Sequence, residues 1–198
     1  QNNLNFVFIS TDKAVEPVNY MGKSKRLGEI ITNSFNFIEP KNNKYCSVRF
    51  GNVIGSSGSL IPKIQNQINN NSEITVTNTK ATRYFMTIND AVNLTLQATQ
   101  LSDKGKIYVL DMGEPINIYK LVKEIIINSG REDLINKIKI TGLRNGEKLH
   151  EKLHHQNKSE PTSNNLIFSE KIDKIYSIKE IENIKNKLNN GLQNSNIN

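Results

Sequence analysis

The sequence predicts an α/β fold, and three stretches carry that prediction. "NFVFIS" at 5–10 is a short continuous apolar run bounded by turn residues, the pattern of a strand buried on both faces of a parallel sheet. Downstream of Pro17, Leu27, Ile30, Ile31, Ser34 and Ile38 recur at helical spacing. "CSVRFGNVIG" at 46–55 is a second buried strand about one helix later. Strand, helix, strand is a βαβ unit with a right-handed crossover, which makes the sheet parallel.

Taken in order, Pro17 suits the first turn of the first helix, and at about 100° per residue Met21 and Lys25 fall well outside its mostly apolar stripe. They do not face the same core. "GSSGSLIPKIQNQI" is a glycine-serine loop running into a helix, "EITVTN" a strand, and "TINDAVNLTLQAT" a helix with Asn89 and Asp90 in its first turn. "KIYVLDMG" is another strand, and "INIYKLVKEIIINSG" a helix closed by Gly130. "NKIKITGLRNGEKLHEKL" reads as a strand, a glycine-bearing turn and a helix, and the closing "NNGLQNSNIN" as a frayed tail. The chain shows no internal repeat.

The 198 residues are enough for one full domain or part of a larger enzyme, and 36% hydrophobic residues with a mean hydropathy of -0.52 describe a polar globular protein. No apolar run approaches the roughly 18 residues of a membrane span, and nothing at the amino end reads as a signal peptide. The expected location is the cytoplasm, including that of a cytoplasmic domain on a membrane-anchored protein. The single cysteine, Cys46, cannot form an internal disulfide and reads as a buried thiol in a reducing compartment. An excess of 26 Lys and Arg over 19 Asp and Glu gives +7. The lysines are scattered through Asn- and Ile-rich segments without aromatic interleaving, which argues against nucleic acid and leaves a phosphate-bearing substrate open.

Ligands of open α/β sheets bind beyond the carboxyl ends of the strands, where Thr11, Asp12, Lys13, Gly51, Asn52 and Gly55 all lie. The glycine fingerprint that cradles a dinucleotide after a first strand is absent, and "GSSGS" lacks its spacing. His150 and His154 stand at i, i+4 without a third ligand nearby in sequence, so no metal site is read from them.

The motifs "STDKAVEPVNYMGKSKR", "VRFGNVIGSSGSLIPKI", "ATRYFMTINDAV", "YVLDMGEPINI" and "ITGLRNGEKLHEKL" closely resemble the nucleotide-sugar 4,6-dehydratases. These are extended short-chain dehydrogenase/reductases of the capsule and glycan type that act on UDP-N-acetylglucosamine. The resemblance runs in order from about Asn5 to Leu153. It implies the carboxyl-terminal half of a Rossmann-type parallel sheet with a smaller α/β substrate-binding portion. Residues 1–60 and 82–113 would be the remainder of the NAD(P)-binding domain, 61–81 and 114–190 the nucleotide-sugar-binding portion, and 191–198 the tail. It further implies NAD or NADP as cofactor, a UDP-sugar as substrate, a homo-oligomer, and no membrane contact from this segment.

In such enzymes carbon 4 of the sugar is oxidised, water is lost across carbons 5 and 6, and the hydride returns at carbon 6. Elimination needs a base for the carbon-5 proton and an acid for the departing 6-hydroxyl. By resemblance Asp12 is the acid, Lys13 the base, and Thr11 the hydrogen-bond partner of the 4-hydroxyl; Asp12 would then be protonated and Lys13 neutral. The usual Tyr-x-x-x-Lys pair reads Met21 to Lys25. A thioether cannot take up a proton, and Tyr20, one residue off, points roughly 100° away on a helix. Some dehydratases of this type, especially long membrane-anchored ones, carry Met at this place. Lys25 keeps the cofactor-binding role, with Ser10 beside the cofactor. Asn52 resembles the asparagine near the diphosphate, Arg83 and Arg144 suit phosphate, and Glu147 resembles the acceptor of the ribose hydroxyls. A nucleotide-sugar 4-epimerase and an inactive nucleotide-sugar-binding fragment remain the alternatives.

Overall fold

The computed structural model describes residues 5–38, 43–56, 58–101, 105–155 and 158–194. Its main sheet has five strands: β1 (Asn5–Ile9), β2 (Lys44–Arg49), β7 (Lys106–Leu110), β11 (Ile167–Lys171) and β10 (Ser159–Pro161), in that spatial order. The first three are parallel, and β11 and β10 add antiparallel strands at the far edge. Helix α1 (Tyr20–Ile38) makes the β1–β2 crossover. The longer route from β2 to β7 holds β3 (Asn52–Val53), α2 (Leu60–Asn69), β4 (Thr75–Val76), β5 (Thr82–Arg83), β6 (Phe85–Met86) and α3 (Ile88–Leu101). After β7 come β8 (Ile116–Asn117), α4 (Ile118–Asn128), β9 (Lys139–Ile140) and, at the carboxyl side, α5 (Ile178–Asn194). Among the described residues no helix is long and apolar enough to cross a membrane.

The two faces of β2 differ in chemistry. Cys46 and Val48 point into an apolar core with Leu94 and Ala98 of α3, where burial pushes the Cys46 thiol up to about 11. The alternate residues Ser47 and Arg49 point at α1 instead, and there the contacts are polar. Asn33 donates to Ser47 Oγ at 3.0 Å, and Arg49 grips Glu29 with two nitrogens at 3.0 and 2.9 Å. Glu170 on β11 takes the third Arg49 contact at 2.8 Å. All three members are buried, so each charge is matched where solvent cannot reach it. Burial works against the Arg49 cation, and the neighbouring charges of Glu29 and Glu170 still raise its pKa.

This network overturns the expected apolar packing of α1. Its fully buried residues are Gly22, Glu29, Thr32, Asn33, Ser34 and Asn36, while Leu27, Ile30, Ile31 and Ile38 are only half-buried. The helix also starts later than Pro17, because the Asn19 side chain accepts the Gly22 N–H at 2.8 Å and so caps it. β1 lies at the sheet edge with Phe6 and Ile9 exposed, where burial on both faces was expected.

A second cluster joins Ile64 and Ile68 of α2, Ile74 and Val76, Val122 and Ile126 of α4, and Leu134. Leu60 and Ile118, packed against it, line the cleft described below. β10 and β11, inside the 114–190 stretch assigned to the sugar-binding portion, join the main sheet instead. The helix expected near Glu147–Leu153 does not form: the Leu149 carbonyl accepts the Thr82 N–H at 3.1 Å, so this stretch runs extended along β5. α5 continues through Gly191 to Asn194, and 195–198 of the expected tail lie outside the described residues.

Candidate active site

β1 ends in a single 3-10 turn, Asp12–Ala14, with Thr11 as its cap. The Asp12 N–H donates to the Phe50 carbonyl at 3.0 Å, so the turn is tied to the carboxyl end of β2. Asp12 is fully buried; its Oδ1 accepts from Thr11 Oγ1 at 2.8 Å and from Lys13 Nζ at 2.7 Å. Its Oδ2 is buried without a hydrogen-bond partner. Lys13 reaches past it to Asn52 Oδ1 at 3.4 Å. Gly51 makes room for this arrangement, since a Cβ there would stand 3.1 Å from Asp12 Oδ2 and 3.0 Å from Tyr84 Cβ.

α1 approaches the turn so closely that a Cβ on Gly22 would lie 2.3 Å from the Lys13 carbonyl oxygen. On the other side the 144–147 turn is fastened down: Asn19 Nδ2 donates to the Gly146 carbonyl at 2.8 Å, and Lys148 Nζ donates to that of Val15. Asn19, Gly22 and Lys148 were not singled out from sequence; only the adjacency of Asn19 to a helix start signalled any of them.

Between these parts opens a cleft of about 790 Å3 that brings together Lys13, Met21, Asn52, Arg83, Arg144 and Glu147. Six of the ten residues expected at a site therefore line one cavity, contributed by five separate stretches of chain. Thr11 and Asp12 stand directly behind Lys13, with the Thr11 hydroxyl turned to Asp12. Lys25 lies at the same strand end, donating to the Ile9 carbonyl at 3.0 Å, but it does not line the cleft. Ser10 is placed apart: it is buried and its hydroxyl donates to Glu29 Oε1 at 2.7 Å.

Arg83 and Glu147 form an ion pair at 2.9 Å. Arg83 also donates to the Thr82 and Leu149 carbonyls, while Glu147 accepts from Thr77 Oγ1 and from the Arg144 N–H. The pair thus holds the 144–149 turn against β5. The Arg144 guanidinium is exposed and makes no ion pair among the described residues, so of the two arginines it is the one free to meet a phosphate.

Tyr20 is 91% exposed and away from the cleft, so it does not replace the base missing at Met21. Tyr84 is held protonated by burial first, then by the charges of Glu114 and Asp12. The histidines serve packing: His150 meets Thr82 Oγ1, His154 meets Ser159 Oγ, and His155 meets Glu170. Among the described residues no group of three His, Cys, Asp or Glu side chains could hold a metal ion.

Residues 1–178 match the family described as "Polysaccharide biosynthesis protein". The chain belongs to that family. The chain is 47% identical over 156 residues to the capsular polysaccharide biosynthesis protein CapD of Staphylococcus aureus, covering 79% of this chain and 26% of CapD. It is also 37% identical over 149 residues to a UDP-glucose 4-epimerase of Rickettsia bellii, covering 74% of this chain and 42% of that protein. The chain therefore spans only about a quarter of CapD, and less than half of the epimerase.

Among solved structures, Pen from Bacillus thuringiensis superposes with a TM-score of 0.75 at 29% identity, over 91% of this chain and 61% of that one. A dTDP-glucose 4,6-dehydratase from Streptomyces venezuelae, solved with NAD, matches with a TM-score of 0.66 at 15% identity, over 76% of this chain and 51% of that one. The second likeness concerns the fold alone, a Rossmann-type α/β architecture built on a parallel sheet.

Proposed function

We propose that this chain is the substrate-side part of an NAD(P)-dependent nucleotide-sugar 4,6-dehydratase, acting on UDP-N-acetylglucosamine to give its 4-keto-6-deoxy product. The single observation that carries this reading is the Asp12–Lys13 contact of 2.7 Å at the mouth of the cleft. An ion pair and an acid beside a free amine contain the same number of protons. One proton moving from Lys13 Nζ to Asp12 across that contact leaves Lys13 able to accept the carbon-5 proton and Asp12 able to protonate the departing 6-hydroxyl.

The residues present suit only the nicotinamide end of the cofactor. Lys25, already donating to the Ile9 carbonyl at the end of β1, has further N–H donors for ribose hydroxyls, whereas no pyrophosphate-binding glycine loop stands in this sequence. A nicotinamide held there by Lys25 would supply reversible hydride acceptance for the sugar. The chain's own part is to hold the sugar against Lys13 and Asn52 and to anchor the diphosphate with Arg144. Glu147, turned by Arg83 and Thr77, presents a carboxylate for the ribose.

A second reading, nucleotide-sugar 4-epimerisation, is favoured by the Rickettsia relative's name. Epimerisation has no use for an acid-base pair aimed at carbons 5 and 6. The test is to incubate a full-length enzyme carrying these residues with UDP-N-acetylglucosamine and NAD(P) and to weigh the product. Loss of one water supports the dehydratase, and a product of unchanged mass with an inverted carbon 4 supports the epimerase. Nucleotide-sugar binding without any turnover sinks both.

A further inference from the structure

Glu151 lines the same cleft, yet neither the dehydration chemistry nor the diphosphate clamp uses it. Its side chain is 5% exposed, and its Oε2 is buried with no hydrogen-bond partner. Lys148 Nζ forms an ion pair with that oxygen at 3.6 Å, too long for a hydrogen bond, while it donates to the Val15 carbonyl. A carboxylate oxygen shielded from water, with a long ion pair but no hydrogen bond, is incompletely satisfied, and such groups persist where a ligand supplies the missing donor.

Its position indicates which part of a ligand that is. Glu147, four residues earlier, bonds Thr77 and Arg83 toward the second apolar cluster. Lys148 and Lys152, by contrast, tie the Glu151 segment to Val15 and Glu16, directly after the 3-10 turn that carries Lys13. Glu151 thus belongs to the end of the cleft where the sugar ring would meet Lys13, and Glu147 to the nucleoside end.

We propose that Glu151 is a specificity residue, accepting a hydrogen bond from a hydroxyl or N-acetyl N–H of the hexose. This rests on the nucleotide-sugar reading above. An acceptor-only group favours sugars that present a donor there over those that present a methyl or a keto oxygen, because only a donor relieves the buried charge.

The test compares UDP with UDP-N-acetylglucosamine by calorimetry on this chain, as wild type, E151Q and E151A, with urea unfolding as the check on folding. The expected result is that wild type binds the sugar nucleotide more tightly than UDP. E151A should lose roughly tenfold in affinity for the sugar nucleotide, the loss of one charge-assisted hydrogen bond, and keep its UDP affinity within about twofold. E151Q, which keeps one acceptor oxygen, should fall between. Equal losses for both ligands, no loss for either, or a wild type that gains nothing from the sugar overturns the assignment while the nucleotide-sugar reading stands. A wild type that binds neither ligand overturns that reading itself, and Glu151's role with it.

Discussion

Lys13 and Asp12 are adjacent in sequence and differ sharply in surroundings: the carboxylate is fully buried and the lysine side chain is 24% exposed. Lys13 lines the cleft, and Asp12, packed against it, has an Oδ2 without a hydrogen-bond partner, the atom from which the proposed proton delivery would run. In a full-length enzyme, Lys13→Ala and Asp12→Asn should each lower turnover by roughly 10²- to 10⁴-fold, the usual weight of a general acid or base. Nucleotide-sugar affinity should change far less, because the clamp residues lie elsewhere in the cleft. In the proposed dehydration hydride transfer would precede loss of the carbon-5 proton, so the Lys13 variant should still accumulate reduced cofactor. Dehydration at the parental rate in Lys13→Ala would reduce the pair to a strand-end turn. Arg144 makes a separate residue-scale case: its guanidinium is unpaired among the described residues, so Arg144→Ala should weaken UDP binding by about 1.5 to 3 kcal/mol with little effect on folding. Arg83→Ala should also destabilise the fold, since Arg83 holds Glu147 and two carbonyls of β5 and the 144–149 stretch. Unchanged UDP affinity in Arg144→Ala removes it from the site.

At the scale of elements, the site depends on how closely α1 can approach the turn after β1. Alanine is the better helix former, and in an open helix Gly22→Ala would stabilise by up to about 1 kcal/mol. Here the added carbon would sit 2.3 Å from a backbone oxygen, which no rotamer change relieves. The expected sign is therefore reversed: Gly22→Ala should destabilise by about 1 to 3 kcal/mol in urea unfolding and should displace Lys13, lowering turnover as well. A variant as stable as the parent would show that the helix and turn slide apart freely. The Asn19 cap acts at the same junction from the other side, joining the start of α1 to the Gly146 turn, so one short segment meets both the Lys13 turn and the 144–147 turn.

For the whole molecule, the buried set Glu29, Arg49 and Glu170 ties α1 to β2 and to β11, linking the first helix with a strand more than a hundred residues away. Burial alone would raise the Glu170 pKa. The hydrogen bond from His155 and the charge of Arg49 outweigh it and bring it down to about 2 from the ordinary 4.5. A carboxylate whose folded pKa is depressed stabilises the fold above its unfolded pKa, and that contribution fades as pH falls through the folded value. Glu170 should contribute on the order of 3 kcal/mol at neutral pH, lost progressively between about pH 4.5 and pH 2. Urea midpoints measured across that window should fall for the parent and be flatter for Glu170→Gln. Parallel curves would show that other carboxylates govern the acid limb.

What the sequence determined by itself is the α/β class, the strand–helix–strand opening, the adjacency of Asp12 and Lys13 and four of the charged residues that line the cleft, Lys13, Arg83, Arg144 and Glu147, but not Lys63 or Glu151. The class and the opening unit were legible from local spacing, a period of two or of 3.6, whereas the Asp12–Lys13 pair and the clamp residues were picked out by the resemblance of short motifs to the nucleotide-sugar 4,6-dehydratases. The buried polar face of α1 also had a local trace, since Glu29, Asn33 and Asn36 fall on one helical stripe and Ser47 and Arg49 alternate with Cys46 and Val48. That trace was outweighed by the stronger apolar stripe from Leu27 to Ile38. Only the tertiary structure decided that the polar stripe is the one that faces the sheet, because a buried charge is tolerable only if its partner arrives, and Glu170 comes from a distant strand. The same reason pairs Arg83 with Glu147 and keeps the 147–153 stretch from forming a helix. In each case the outcome depends on a partner brought from far along the chain, and no local pattern encodes the distance between them.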